Sequence, residues 1–427
     1  ISAASPVFAG PNRVLDQAFC STLFKKNSDG THMSIGEALM RAKNMIGNDN
    51  GNKLSYILMG DPALKLKFPT DYQIITSEIN GSTTLSKDTL KAMSVATIKG
   101  YIADNNGNKI DIFNGNLHVS VYDKIQRITT FNNDGDGPMT YYDRPSMLFS
   151  GNAEVKNGEF SITFMLPKDI KYNYGGGRID YYAQDDTNNK EAQGYYEKII
   201  IGGTDKSVAI ENEGPTMNLF LNTDKFVSGE KVNESPLFLA TLSDPHGINT
   251  VGGSGIGHDI TLTIDDDPST TYVLNDYYTA STNSYTEGSL RYKMPTMTNG
   301  KHTLSLRAWD LLNNSSSKSI DFEVVQGLTP TIFSATCYPN PASVSSATEF
   351  VITHDRPETV LSTVVEIFDL TGRKIWSFSQ SSTNKIRWDL TGQDGLKVNT
   401  GMYLYRISIK TKNSDLTSKS NKIIISQ

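Results

Sequence analysis

The sequence predicts a mostly β protein in which residues 1–70 are the C-terminal remnant of an α/β domain and residues 71–210, 211–327 and 328–427 form three successive β-sandwiches. Three observations carry this reading. Helical periodicity, at ~3.6 residues per turn, is confined to residues 12–66. From Asp71 onward it gives way to short alternating apolar runs separated by Gly, Asn, Asp and Pro clusters, the pattern of antiparallel sheets. A length of 427 residues, at about 150 residues per domain, excludes a single small module.

In residues 12–24, Val14, Leu15, Ala18, Phe19, Leu23 and Phe24 fall on one helical stripe. The next segment, Ser34-Ile35-Gly36-Glu37, has the spacing of a capping box, in which the serine hydroxyl accepts from the amide three residues on and the glutamate reaches back. A second helix therefore begins at Ser34. Ile35, Ala38, Leu39, Ala42, Met45 and Ile46 give it one apolar face, Arg41 and Lys43 lie outside, and Gly47 with the Asn-rich run after it stops it. Leu54-Ser55-Tyr56-Ile57-Leu58-Met59, ended by Gly60-Asp61-Pro62, reads as a strand buried on both faces. Such a strand needs neighbours to pair its amides and carbonyls, and this segment offers none. The rest of the sheet is expected before Ile1. Without it, the apolar side chains of Val14, Phe19, Leu39, Ile57 and Met59 are expected to stand exposed.

In the first sandwich, residues 95–102, 117–122, 160–165 and 195–201 read as strands, with Asn-Gly turns at 105–108 and 156–158. Residues 211–215 read as a linker. Runs at 219–221, 237–242, 260–264, 290–292, 303–309 and 320–325 then suit one immunoglobulin-like sandwich. After a second boundary at 326–330, the third set is 350–353, 364–370, 374–378, 385–390, 402–410 and 423–425, with turns at Thr371-Gly372 and Asp394-Gly395.

Composition narrows the function classes. Forty Lys and Arg against 46 Asp and Glu leave a net charge of −6, without the basic excess of a nucleic-acid binder, so no nucleic-acid partner is expected. Two cysteines provide no disulfide framework. No apolar run approaches the ~18 to 20 residues of a membrane-spanning helix. The six histidines, His32, His118, His246, His258, His302 and His354, are scattered and none pairs with another at helical metal-site spacing. Cys20, beside Phe19 on the first helix, is expected to be a buried, unreactive thiol, and Cys337, at a strand entry, a structural one. Two acidic runs, Asn132-Asn133-Asp134-Gly135-Asp136-Gly137 and Asp265-Asp266-Asp267, have the oxygen-rich chemistry calcium takes. The first lacks a glutamate at the twelfth position, where Asp143 is nearest, and both are better read as loops. No catalytic, cofactor-binding or metal-ligating residue is assigned, and no cofactor is required.

Three stretches resemble one family. Ser34-Ile35-Gly36-Glu37-Ala38-Leu39 with Ala42-Lys43-Asn44, followed by Tyr56-Ile57-Leu58-Met59-Gly60-Asp61-Pro62-Ala63-Leu64-Lys65-Leu66, is similar to the end of the caspase-like α/β domain of gingipain-type cysteine peptidases. Ser243-Asp244-Pro245-His246-Gly247-Ile248-Asn249, Gly255-Ile256-Gly257-His258-Asp259-Ile260 and Ala308-Trp309-Asp310 resemble the immunoglobulin-like region of the gingipain-like sortases of the type IX secretion system. Tyr338-Pro339-Asn340-Pro341, Ile367-Phe368-Asp369-Leu370-Thr371-Gly372-Arg373, Asn399-Thr400-Gly401-Met402-Tyr403 and Lys422-Ile423-Ile424-Ile425 resemble a type IX C-terminal sorting domain.

The resemblance implies a cysteine peptidase/sortase at the cell surface, associated with the outer membrane, which cleaves sorting domains from secreted clients and joins them to anionic lipopolysaccharide. Its catalytic Cys-His pair would lie upstream of the Gly-Asp-Pro element, hence before Ile1. Cys20 does not occupy the family's nucleophile position, so this chain alone is expected to be inactive. The implied partners are the N-terminal part of the same protein, the outer-membrane barrel carrier PorV, client sorting domains and anionic lipopolysaccharide. A strand edge at 402–410 or 423–425 is expected to meet the carrier. The competing readings are a secreted gingipain-like endopeptidase that sheds its sorting domain and a non-enzymatic surface adhesin.

Overall fold

The computed structural model describes the whole chain except residues 48–50, 67–70, 84–88, 134, 136, 210, 251–256 and 382–383. It divides into two compact units, Ile1–Thr70 and Asp71–Gln427.

The first unit holds two helices, α1 (Ala9–Leu23) and α2 (Ile35–Met45), and a two-stranded ribbon in which Ser2–Ala3 pairs antiparallel with Tyr56–Ile57. Helix α2 begins where the capping pattern places it. Ser34 Oγ accepts from the Glu37 amide at 3.2 Å, while the Glu37 carboxylate is taken by Arg41 at 2.6 Å. The amides of Ile35 and Gly36 donate to the carbonyls of Leu64 and Pro62, at 2.8 and 3.0 Å, so the Gly-Asp-Pro turn satisfies donors that a helix start leaves open. Gly36 permits this approach, since a Cβ there would stand 2.5 Å from Pro62 Cβ. The run expected as a strand buried on both faces pairs over only Tyr56–Ile57, and Leu54, Ile57 and Met59 are exposed. A partner strand does exist in Ser2–Ala3, but it covers two residues and leaves the apolar run largely uncovered.

Residues 71–210 depart from the expected sandwich. The strands of residues 71–210 do not split into two facing sheets but close into a seven-stranded barrel. Tyr72–Ile79, Val95–Asp104, Glu159–Met165, Met147–Lys156, Gly115–Tyr122, Arg178–Asp185 and Lys190–Tyr196 follow one another around it. The run expected at 195–201 divides between Lys190–Tyr196 and Ile200–Thr204, the latter in a separate three-stranded sheet. The Asn157-Gly158 turn forms as expected, with φ of 49° and 73°, and joins two neighbouring barrel strands.

The barrel closes through one parallel pair, Gln193 against Gln73. Beside it, a Cβ on Gly194 would lie 2.4 Å from the Ile74 carbonyl oxygen, so glycine is what lets the two backbones meet. Gly194→Ala is expected to destabilise the barrel by ~1–3 kcal/mol and to speed amide exchange along Tyr72–Ile79, measured by hydrogen exchange with mass spectrometry. An unchanged exchange profile along that strand would show that the seam is closed by other contacts.

Residues 211–327 form the expected sandwich. A four-stranded sheet (Thr216–Leu221, Leu237–Ser243, Glu287–Lys293, Tyr278–Ala280) faces a five-stranded one (Lys231–Val232, Ser315–Val324, Gly300–Trp309, Thr261–Ile264, Thr271–Val273). Phe238, Leu262, Leu290, Leu306 and Phe322 fill its core.

The last sandwich packs Ile332–Tyr338, Thr348–His354 and Lys385–Trp388 against a five-stranded sheet, around Phe350, Trp388, Tyr405, Ile367 and Ile407. In that sheet Gly401–Lys410 is an interior strand, paired on both sides, so it has no free edge to offer. The 423–425 stretch is covered as well: Ala342 pairs with Ile425, and Asn340 accepts from the Ile424 amide at 3.0 Å and donates to the Lys422 carbonyl at 3.1 Å. The side chain at the centre of Tyr-Pro-Asn-Pro thus holds the final strand in place of a neighbouring backbone. Among the described residues, one edge of this sheet is Lys374–Ser381, where Trp376 and the exposed Phe378 stack at 5.9 Å.

Candidate functional site

On the first unit, the packing of α1 on α2 buries Leu15, Leu23, Ala38, Leu39 and Ala42 and leaves an apolar groove of about 490 Å³. Ile1, Leu15, Phe19, Leu39, Tyr56 and Leu58 are among the side chains that line it. Val14, Ile57 and Met59 stand exposed as the sequence predicts, with Met59 at 73 %. Phe19 is half-buried, and Leu39, expected to be exposed, is buried against the neighbouring helix and is reached only at the groove wall. Such a concentration of apolar surface beside a two-residue ribbon marks a contact face. Among the described residues, no helix is long and apolar enough to cross a membrane.

Cys20 lies on the outer side of α1 and is exposed, not buried; its Sγ is 3.9 Å from Asp16 Oδ1, one turn back. The stripe that buries Leu15 and Leu23 turns Cys20 away from α2. Cys337 keeps its structural reading: it is half-buried next to Tyr405, and burial pushes its thiol pKa up.

In the second unit the fold gathers side chains that the sequence keeps far apart. Glu211 precedes the first strand of the middle sandwich, His246 lies in the turn after Leu237–Ser243, and Asp310 follows the end of Gly300–Trp309. Their ligand atoms lie within 4.8 Å of one another. His246 Nδ1 is 3.5 Å from Glu211 Oε1 and 3.9 Å from Asp244 Oδ1. Asp310 is fully buried and accepts from the amides of Leu312 and Asn314, at 3.0 and 2.6 Å. The Asn314 side-chain amide donates to both Asp310 Oδ2, at 2.8 Å, and Glu211 Oε1, at 2.6 Å. Burial pushes the Asp310 carboxyl up to about 6; the Asn314 hydrogen bonds oppose the rise, and the Asp244 charge and Glu211 add to it. Burial raises Asp244 as well. Sequence reasoning set His246 aside as one of six scattered histidines. The available signal was Asp244 two residues before it, on a tight turn.

His258 and His302 face separate carboxylates. His258 Nδ1 pairs with Asp169 Oδ2 at 2.7 Å, and His302 Nδ1 with Asp265 Oδ2 at 2.7 Å. Asp265-Asp266-Asp267 forms the turn the sequence predicts. Asp265 and Asp266 adopt φ of 54° and 55°, Asp265 also accepts from the Thr303 amide at 2.9 Å, and Asp267 caps the Ser269 amide at 2.9 Å. Of the other acidic run, Asp134 and Asp136 lie outside the described residues, and Asn132 Oδ1 accepts from the Gly137 amide at 2.6 Å.

Residues 1–67 match peptidase family C25, and residues 336–426 match a secretion system C-terminal sorting domain. Among solved structures, dimeric latent PorU from Porphyromonas gingivalis is 34 % identical over 94 % of this chain and 38 % of its own, with a TM-score of 0.43. The chain therefore spans 38 % of that protein's length. A tetra-tandem repeat from the extending region of a large adhesion protein is 13 % identical, covering 83 % of this chain and 74 % of its own, with a TM-score of 0.19. An I-band fragment of titin is 12 % identical over 80 % and 95 %, with a TM-score of 0.18. No curated protein matches the sequence.

Proposed function

We propose that this chain belongs to a PorU-type protein and that the whole protein is a surface cysteine peptidase acting as a sortase; the match of residues 1–67 to peptidase family C25, the match of residues 336–426 to a secretion system sorting domain and the 34 % identity to PorU over 94 % of the chain support this reading. It cleaves the sorting domains of type IX clients and transfers the shortened clients to anionic lipopolysaccharide. A thiolate attacks the client carbonyl carbon, the peptide C–N bond breaks, and the sorting domain leaves as an amine after taking a proton from a histidine. An amine on the lipopolysaccharide then attacks the thioester, gives its proton to the histidine, forms the new amide and releases the thiolate.

The observation that carries this reading is the apolar groove on the first unit, which lies on the segment matched to the peptidase family. An upstream catalytic part seated there completes the sheet that Tyr56–Ile57 begins. The β-domains then hold that part at the cell surface, and the sorting domain docks on the outer-membrane carrier.

The reading of a sortase over a shed endopeptidase takes the sorting domain to be retained, and residues 328–427 meet the middle sandwich through exposed polar contacts. Arg291 pairs with Glu358 at 2.8 Å, and Lys293 donates to Thr359 at 3.2 Å. Disruption of the gene is expected to leave surface clients carrying their sorting domains and lacking lipopolysaccharide, read by intact-mass spectrometry and by loss of the client ladder on gels. Clients trimmed normally in that strain would reject the sortase. Recovery of the mature protein from the surface without residues 328–427 would favour the endopeptidase.

A further inference from the structure

We propose that Glu211, His246 and Asp310, with Asp244 beside them, bind a divalent first-row metal ion, and that zinc fits this donor set best. The proposal concerns the middle sandwich and does not depend on the peptidase reading.

The His246–Glu211 spacing is that of ligands around an ion more than that of groups bonded to each other. An ion held tetrahedrally at ~2.0–2.2 Å keeps its ligand atoms roughly 3.3–3.6 Å apart. His246 Nδ1 and Glu211 Oε1 are 3.5 Å apart, long for a hydrogen bond between an imidazole and a carboxylate. Asp244 Oδ1, at 3.9 Å from the same nitrogen, accepts from the His246 amide at 2.7 Å and so holds the turn that carries the imidazole.

Charge points the same way. Three carboxylates converge on one imidazole, Asp310 is fully buried and Asp244 is 5 % exposed. Among the described residues, no lysine or arginine forms an ion pair with Glu211, Asp244 or Asp310. Concentrating anionic groups in a poorly hydrated spot is costly unless a cation joins them. One imidazole nitrogen with carboxylate oxygens suits a borderline ion such as zinc, whereas calcium and magnesium prefer oxygen alone. The Asn314 amide, donating to both Glu211 and Asp310, already orients two of the carboxylates as an outer-shell group does.

The site would have a structural consequence. Glu211 belongs to the segment that leaves the barrel, and the turn that carries Asp310 also meets the barrel, where Asn313 donates to Asp169 at 2.6 Å. An ion here ties the connecting segment, the sandwich and this turn into one junction.

The test uses the full chain, stripped with chelator and titrated with zinc by calorimetry, beside His246→Ala and Glu211→Gln. Glu211 lies outside the strands, so Glu211→Gln keeps the test valid if His246→Ala folds poorly. The expected result is one zinc per chain, an affinity at least ~100-fold weaker in both variants, and zinc-dependent slowing of exchange at the Leu312 and Asn314 amides in the parent only. Zinc binding that is absent, or equal in parent and variants, overturns the proposal. Calcium binding at these residues in preference to zinc overturns the choice of ion.

Discussion

Arg356→Ala is expected to lower the stability of the C-terminal sandwich by ~3–5 kcal/mol, the cost of removing one partner from a buried ion pair. The guanidinium is 1 % exposed, and Nη1 meets Asp355 Oδ2 at 2.7 Å. Nη2 donates to the carbonyl of Leu328 at 2.9 Å, which is the chain entering the sandwich from its predecessor. Alanine leaves a cavity, a carboxylate without its cation and a linker carbonyl without its donor, and each raises the energy of the folded state. Arg356→Lys restores charge but not the fork that spans Asp355 and Leu328 together, so it is expected to recover only part of the loss. Trp376 and Trp388 both lie in this sandwich, 5.7 Å apart, and with Trp309 of the middle sandwich replaced by Phe their fluorescence reports its urea unfolding within the full chain. The same variant is expected to be cleaved faster by protease within residues 326–331, because the linker is no longer held. A change below ~1 kcal/mol, with the linker still resistant, would show that Arg356 is not what holds the linker to the sorting domain.

The parts of the fold that were legible in the sequence are those set by local rules. The Ser34 cap, the Asn157-Gly158 hairpin and the alternation through residues 402–410 each depend on neighbours within a few positions. Closure of the barrel was not legible, because it depends on Gln193 meeting Gln73 and on a glycine whose reason is a backbone more than a hundred residues away. The same holds for strand edges. Gly401–Lys410 has a clear period of two, but periodicity does not say how many neighbours a strand has, and this one has two. Cys20 was misplaced for a different reason. Phe19 next to it suggested burial, yet adjacent residues on a helix point about 100° apart, and the turn toward α2 takes Leu15 and Leu23 with it. The Glu211, His246 and Asp310 cluster draws on three separate segments, so only the folded sandwich brings it together.

With the chain expressed by itself, amides in α1 and α2 are expected to exchange at least ~100-fold faster than those of the core strands of the second unit, such as Gly300–Trp309 and Gly401–Lys410. Helices of 15 and 11 residues are marginal unless tertiary packing covers an apolar face. Here the packing consists of two small clusters, one around Leu15, Ala42 and Ile46 and one around Leu23, Met33 and Ala38. The core strands instead pair on both sides and cover large side chains, so their amides open only when a whole domain unfolds. If an upstream part of the same protein fills the groove, its presence in the full-length molecule should slow exchange in α1, α2 and Tyr56–Ile57 while leaving the second unit unchanged. Met59→Asp, placing a charge on an exposed groove residue, should abolish that slowing without altering the chain by itself. Protection that is uniform from Ile1 to Gln427 in the isolated chain would mean that the first unit is complete without a partner, and the groove would then need another explanation.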